Sequence, residues 1–126
     1  MKGKGISFKR LIKSFGYAFN GIRLMVIQEQ NAKIHLIIIA LVTIGGIILQ
    51  IAVIEWIAIF IVSGGVLAAE AFNTSIETLS DTISPEYNKN IKQVKDFAAG
   101  AVLIMALTAV VTGAIIFLPK LLAFIQ

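Results

Sequence analysis

The chain has 126 residues, 58% of them hydrophobic and 14% charged, with a formal net charge of +4 and a mean hydropathy of +0.92. A soluble domain averages roughly 45–50% apolar and about 25% charged residues, and one of this length has too little interior to hide the excess. The composition therefore disfavours an ordinary cytosolic enzyme, a disordered tail or a nucleic-acid module and favours an integral membrane protein, while the lack of cysteine excludes a disulfide scaffold, a thiol nucleophile and Cys-based metal sites.

The first 33 residues lack the uninterrupted apolar core and small-residue cleavage site of a signal peptide. Instead Phe8, Leu11, Ile12, Phe15, Phe19, Ile22 and Val26 recur at helical spacing, with Lys9, Arg10, Lys13, Tyr17, Asn20 and Arg23 on the opposite side. The pattern predicts an amphipathic helix over about 7–30, lying along lipid headgroups with its apolar face down. A soluble amphipathic helix packed on a partner is the alternative. Seven of the eleven basic residues precede position 34, including Lys2 and Lys4. On so apolar a chain this basic third points to an anionic membrane surface. No aromatic stacking pattern or zinc spacing supports nucleic-acid binding. Glu29 is the one acid in this stretch, and alone it reads as a surface charge. His35 is the only histidine, with no partner at ligand spacing; it reads as an interfacial or packing residue.

Three runs are long enough to cross a bilayer, which takes about 20 mostly apolar residues. Ile34–Ile54 and Phe97–Pro119 carry no Asp, Glu, Lys or Arg, and Trp56–Ile76 carries one charge, Glu70. With their flanks the spans are expected over about 34–54, 56–82 and 92–119, in a single domain covering 1–126. The fold class is all-α and integral to the membrane: a surface helix plus three transmembrane helices. Ten of the eleven basic residues then fall on the side shared by the N-terminus and the Asp81–Lys95 loop. The positive-inside rule puts that side in the cytoplasm and the chain, multi-pass, in the inner membrane. A short turn around Val53–Glu55 and the C-terminus take the other side. Ser84-Pro85 marks a break, because the residue before proline resists helix. Gly45-Gly46 and Gly64-Gly65 fall within spans, as packing contacts or as glycines that lipid merely tolerates.

The second span holds the most informative pattern. Glu70, Asn73, Glu77 and Asp81 stand at i, i+3, i+7 and i+11, one stripe of a helix. A carboxylate deep in a bilayer costs about 2.5–3.5 kcal/mol on insertion scales, so the stripe should face protein or a wet cleft. Its oxygens suit a hard cation; the plainer reading is polar glue between helices, usually Ser, Thr, Asn or Gln rather than repeated carboxylates. Lys95-Asp96 opens the third span, ahead of the small run Ala98–Ala101 that lets another helix approach. Lys95 is equally a phosphate contact and a lysine snorkelling from a helix end. Carboxylates for an ion and cations for phosphates are what nucleotide chemistry needs. The common phosphate cradles are absent, and Gly3-Lys4-Gly5 is too short to be one. A non-enzymatic transporter or channel subunit with a carboxylate-lined pathway is the alternative.

The run Glu70-Ala-Phe-Asn73-Thr-Ser-Ile-Glu77-Thr-Leu-Ser-Asp81, followed by Lys95-Asp96-Phe-Ala-Ala99-Gly-Ala-Val102, resembles the signature of the prokaryotic diacylglycerol kinase family. The likeness extends from about Phe8 to Pro119. It implies a homotrimer of three-span subunits with active sites shared between neighbours, transferring the γ-phosphoryl of ATP to a membrane lipid alcohol. By this resemblance Glu70 is the general base and Asn73 orients the reacting groups. Glu29 and Glu77 hold Mg²⁺ or another divalent cation with the ATP phosphates. Arg10, Tyr17, Glu86, Tyr87, Asn88, Lys95 and Asp96 complete the nucleotide site, and Arg10, Glu70 and Ala99 meet the lipid. Asp81 is either a nucleotide contact or local support. The alcohol is diacylglycerol or undecaprenol. Ile54-Glu55-Trp56 and Phe117-Leu118-Pro119-Lys120 look like the undecaprenol branch.

Overall fold

The computed structural model describes residues 7–126; Lys2, Lys4 and the Gly3-Lys4-Gly5 run lie outside them. Four helices follow in chain order: α1 Phe8–Gln28, α2 Gln30–Ile48, α3 Val53–Ile83 and α4 Lys89–Ile125. The described residues contain no strand. Three of the helices, α2, α3 and α4, are long and apolar enough to cross a membrane. At 1.5 Å per residue α2 is about 28 Å long, close to the hydrocarbon thickness, whereas α3 and α4 reach roughly 46 and 55 Å and must project beyond it.

The helix bounds depart from the apolar runs in instructive ways. The amphipathic helix stops at Gln28, not 30, because Glu29 adopts an extended backbone (φ −94°, ψ 122°) that ends α1 and starts α2. The expected turn at Val53–Glu55 lies earlier, at Leu49–Ala52; Val53–Glu55 is the first turn of α3. The run 34–54 is thus not one helix. Its end is a Schellman closure: Gln50 takes the left-handed conformation (φ 49°), its N–H donates to the Ile47 carbonyl, and the Ile51 N–H donates to that of Gly46. α4 does not stop at Pro119 but runs through it to Ile125. A missing N–H and a ring near a helix end disturb only one turn.

Helices α3 and α4 pack as an antiparallel pair, with α2 alongside α3. At the end formed by the Leu49–Ala52 turn, Ile51, Ile59 and Ile116 are buried together, with Trp56 and Phe117 against them. Gly46 makes this possible, since a Cβ there would come within 2.8 Å of the Trp56 ring. Gly45 faces Phe117 and Gly65 faces the flexible tip of Met105, whereas Gly64 faces open space. The same end is tied by an ion pair, Lys120 Nζ to Glu55 Oε1 at 2.6 Å, while Glu55 Oε2 accepts from the Ala52 amide at 2.7 Å. Most other large apolar side chains are exposed, among them Phe8, Ile12, Phe15 and Phe19 of α1. Among the described residues no protein layer covers them, as befits surfaces that meet lipid.

Candidate active site

The polar stripe of α3 runs toward the opposite end of the bundle, where α1, the start of α2 and the α3–α4 loop meet. From Glu70 to Asp81 it covers about 16 Å along the axis. Exposure grades along it: Glu70 is 1% exposed and Asn73 7%, Glu77 is half-buried, and Asp81 is exposed. Ser80, 4% exposed, continues the buried side. The stripe thus turns toward protein at its deep end, as its insertion cost requires.

The buried end is unsatisfied. Glu70 Oε2, Asn73 Oδ1 and Thr74 Oγ1 have no hydrogen-bond partner among the described residues. Buried polar atoms without partners cost roughly 1–3 kcal/mol each, so three together on one helix face mark a place built to receive polar ligand groups. The charged groups acting on Glu70 are His35, Glu29 and Glu77. His35 Nε2 stands 4.0 Å from Glu70 Oε2. From the sequence this histidine reads as an interfacial or packing residue. Its pairing crosses from α2 to α3, a separation that no local spacing reveals.

At the shallow end a cleft of about 370 Å³ is bounded by Asp81, Ser84–Asn88, Ile91, Lys92, Lys95 and Asp96. It gathers the expected nucleotide residues Glu86, Tyr87, Asn88, Lys95 and Asp96. Lys95 Nζ pairs with Asp81 Oδ1 at 2.8 Å, and Lys92 Nζ with Asp96 Oδ2 at 2.6 Å. Asn88 caps α4: its Oδ1 accepts from the amides of Asn90 (2.9 Å) and Ile91 (3.2 Å). This engages the side-chain oxygen expected for the nucleotide and fixes the positive end of the α4 dipole at the cleft. Asp81 belongs to this cleft through its bond to Lys95, which sequence spacing left open.

Other expected residues are not brought in. Arg10 and Tyr17 lie on exposed α1, where neither side chain forms a hydrogen bond or ion pair with the stripe among the described residues. Ala99 is exposed on α4, next to buried Ala98. Glu29 sits at the α1–α2 break, half-buried. Among the described residues no three His, Asp or Glu side chains lie close enough to form a metal cage. Glu29 and Glu77 both act electrostatically on Glu70, and Mg²⁺ is commonly held by one or two carboxylates plus phosphates rather than by a full protein cage.

Comparison with known proteins gives a consistent picture. The model of the family described as prokaryotic diacylglycerol kinase matches residues 16–117. The chain is 38% identical over 112 residues to the undecaprenol kinase of Bacillus subtilis, covering 89% of this chain and 91% of that protein. It is 33% identical over 114 residues to a diacylglycerol kinase of Synechocystis, covering 90% of this chain and 65% of the relative. To the diacylglycerol kinase of Escherichia coli K12 it is 28% identical over 116 residues, with 92% and 95% covered.

Proposed function

The chain belongs to the prokaryotic diacylglycerol kinase family of membrane lipid kinases, and from that premise we propose that it phosphorylates undecaprenol to undecaprenyl phosphate, with ATP as donor and Glu70 as general base. The observation that carries this reading is the graded stripe. A buried carboxylate with an unpartnered oxygen lies deep on α3, and at its shallow end lies a cleft holding Lys92 and Lys95, each paired with a carboxylate, beside the capped N-terminus of α4. A lipid hydroxyl reaches the first from within the bilayer, and a nucleotide reaches the second from water. On this reading the stripe is a reaction axis, and the transport-pathway alternative gives way.

In the proposed reaction Glu70 takes the proton of the lipid hydroxyl as its oxygen attacks the γ-phosphorus. The bond from that phosphorus to the bridging oxygen breaks and ADP leaves. Asn73, one turn along, orients the hydroxyl through its unpartnered Oδ1. Lys95 and the N-terminus of α4 balance phosphate charge, and Asp81 holds Lys95. Glu29 and Glu77 would hold a divalent ion, which neutralises charge on the phosphates when bound. Most of the catalytic gain then comes from positioning.

Arg10, Tyr17 and Ala99 lie away from the stripe within one chain, and a homotrimer that shares sites between neighbours is the arrangement in which they join it. The basic flanks support a cytoplasmic side for the N-terminus and the site by the positive-inside rule. Undecaprenol leads because of the Ile54-Glu55-Trp56 and Phe117-Leu118-Pro119-Lys120 segments and the relative of that name. Diacylglycerol is the second reading, favoured by the relatives named for it.

The test is phosphate transfer from radiolabelled ATP, with Mg²⁺, to undecaprenol and to diacylglycerol side by side in mixed micelles. Transfer with preference for undecaprenol is expected, and Glu70→Gln should lower kcat by about 10²-fold or more. No transfer to either alcohol would overturn the reading. A near-normal Glu70→Gln enzyme would remove Glu70 as base.

A further inference from the structure

A base buried from solvent acquires a difficulty with each turnover. Glu70 gains one proton per phosphoryl transfer and, at 1% exposure, cannot hand it directly to water. Its Oε2 has no hydrogen-bond partner among the described residues. The nearest ionisable side chain that is not a carboxylate is His35, with Nε2 4.0 Å from that oxygen and a side chain 19% exposed. His35 also lines an apolar cleft of about 260 Å³ between α2, α3 and α4. The α4 wall of that cleft carries Ala106, Ala109, Val110 and Gly113, so no titratable group competes from that side. The charged groups that act on Glu70 besides His35 are Glu29, at the α1–α2 break, and Glu77, on α3 itself. Both are carboxylates, so the imidazole is the one basic group among them.

We propose that His35 is a positioning residue for the base: it takes from Glu70 the proton removed from the lipid hydroxyl and delivers it out of the bundle. This rests on the assignment of Glu70 as base. The lipid O–H bond breaks as the proton moves to Glu70, the new O–P bond forms, and ADP departs. The proton then passes from Glu70 to the lone pair of His35 Nε2, and the imidazolium releases its Nδ1 proton to water. Glu70 returns to the carboxylate and His35 to the neutral Nε2–H tautomer; exchange with water then moves the ring proton from Nε2 back to Nδ1 and frees the Nε2 lone pair, so one proton leaves per ADP formed. The 4.0 Å separation is longer than a hydrogen bond. It closes by a small side-chain rotation, as catalytic contacts commonly tighten once substrate is bound.

The experiment compares wild type, Glu70→Gln, His35→Ala and His35→Gln in the same micellar assay, with trimer integrity followed by thermal unfolding. His35→Ala is expected to lose tenfold or more in kcat with KM for ATP and lipid within about twofold. Added imidazole should restore activity, and a series of substituted imidazoles should rescue in proportion to their basicity. A packing role would not show that dependence. His35→Gln keeps the ring's approximate bulk without a basic nitrogen; it should fold, stay slow, and so hold the proposal to account if the alanine variant unfolds. Normal kcat in His35→Gln, or rescue indifferent to basicity, would overturn the relay. If Glu70→Gln is inactive while His35→Gln is normal, the relay fails and the base stands. If Glu70→Gln is active, the base assignment itself fails.

Discussion

Glu77 and Asp81 are one turn apart on the same helix face, yet their surroundings assign them different work. Glu77 is half-buried, with no side-chain hydrogen bond among the described residues, whereas Asp81 is exposed and already bonded to Lys95 at 2.8 Å. An ion bound by few protein ligands loses much of its affinity when one carboxylate is removed. An exposed ion pair contributes little, because solvent and salt screen it. Glu77→Gln is therefore expected to raise the Mg²⁺ concentration for half-maximal activity roughly tenfold, while Asp81→Asn shifts it less than about twofold. Titrating Mg²⁺ at saturating ATP separates the two; equal shifts would remove Glu77 as ligand. The stripe was legible because helical spacing is local. What spacing does not carry is depth or occupancy. Asn88 matched a nucleotide residue by resemblance, although an Asn directly before a helix is also a cap signal, and the cap is what engages its oxygen.

At the scale of elements the apolar runs predicted three crossing helices and one surface helix, and the helices formed. Their ends were harder to read. Turn chemistry usually announces itself through glycine at the left-handed position, and here that position is Gln50. The glycine that matters, Gly46, lies four residues earlier and answers to Trp56 rather than to backbone conformation. A side chain in the left-handed region costs about 1–2 kcal/mol, and glycine gives back roughly 0.5–1 kcal/mol of that in added chain entropy. Gln50→Gly is thus expected to stabilise by about 0.5–1 kcal/mol, raising the unfolding midpoint in detergent by a few degrees. An unchanged or lower midpoint would show that Gln50 makes a compensating contact. The α2–α3 helix contact and the His35–Glu70 approach were invisible for a common reason. Both join residues far apart in sequence, and two apolar helices have no preferred mutual rotation in a hydropathy pattern.

The whole molecule is asymmetric from end to end. One end is open and polar, with buried oxygens unpartnered; the other is closed by Ile51, Ile59 and Ile116 and by the Glu55–Lys120 pair, which joins residues 65 apart. The segments that resemble the undecaprenol branch, Ile54-Glu55-Trp56 and Phe117–Lys120, meet at this closed end, away from the stripe. There Trp56, Phe117 and the Glu55–Lys120 pair close the bundle, so these segments favour undecaprenol by resemblance and not by contact with the site. Glu55 lies in the first turn of α3, ahead of the apolar run, and its carboxyl is held below the ordinary value of 4.5. The causes are the hydrogen bond from Lys120 first and that from the Ala52 amide second, against a smaller opposing effect of burial. A carboxyl with a depressed value in the fold stabilises the folded state above its unfolded value, and that contribution is lost as pH falls through the folded one. Wild type should therefore lose thermal stability more steeply than Glu55→Gln below about pH 4.5, and the two curves should converge in acid. At neutral pH Glu55→Gln should unfold at lower temperature yet keep kcat within about twofold, since no step of the transfer reaches this end. Equal acid sensitivity in both proteins would show that the pair does not hold the closed end, and a large fall in kcat would show that the two ends are coupled through α3 and α4.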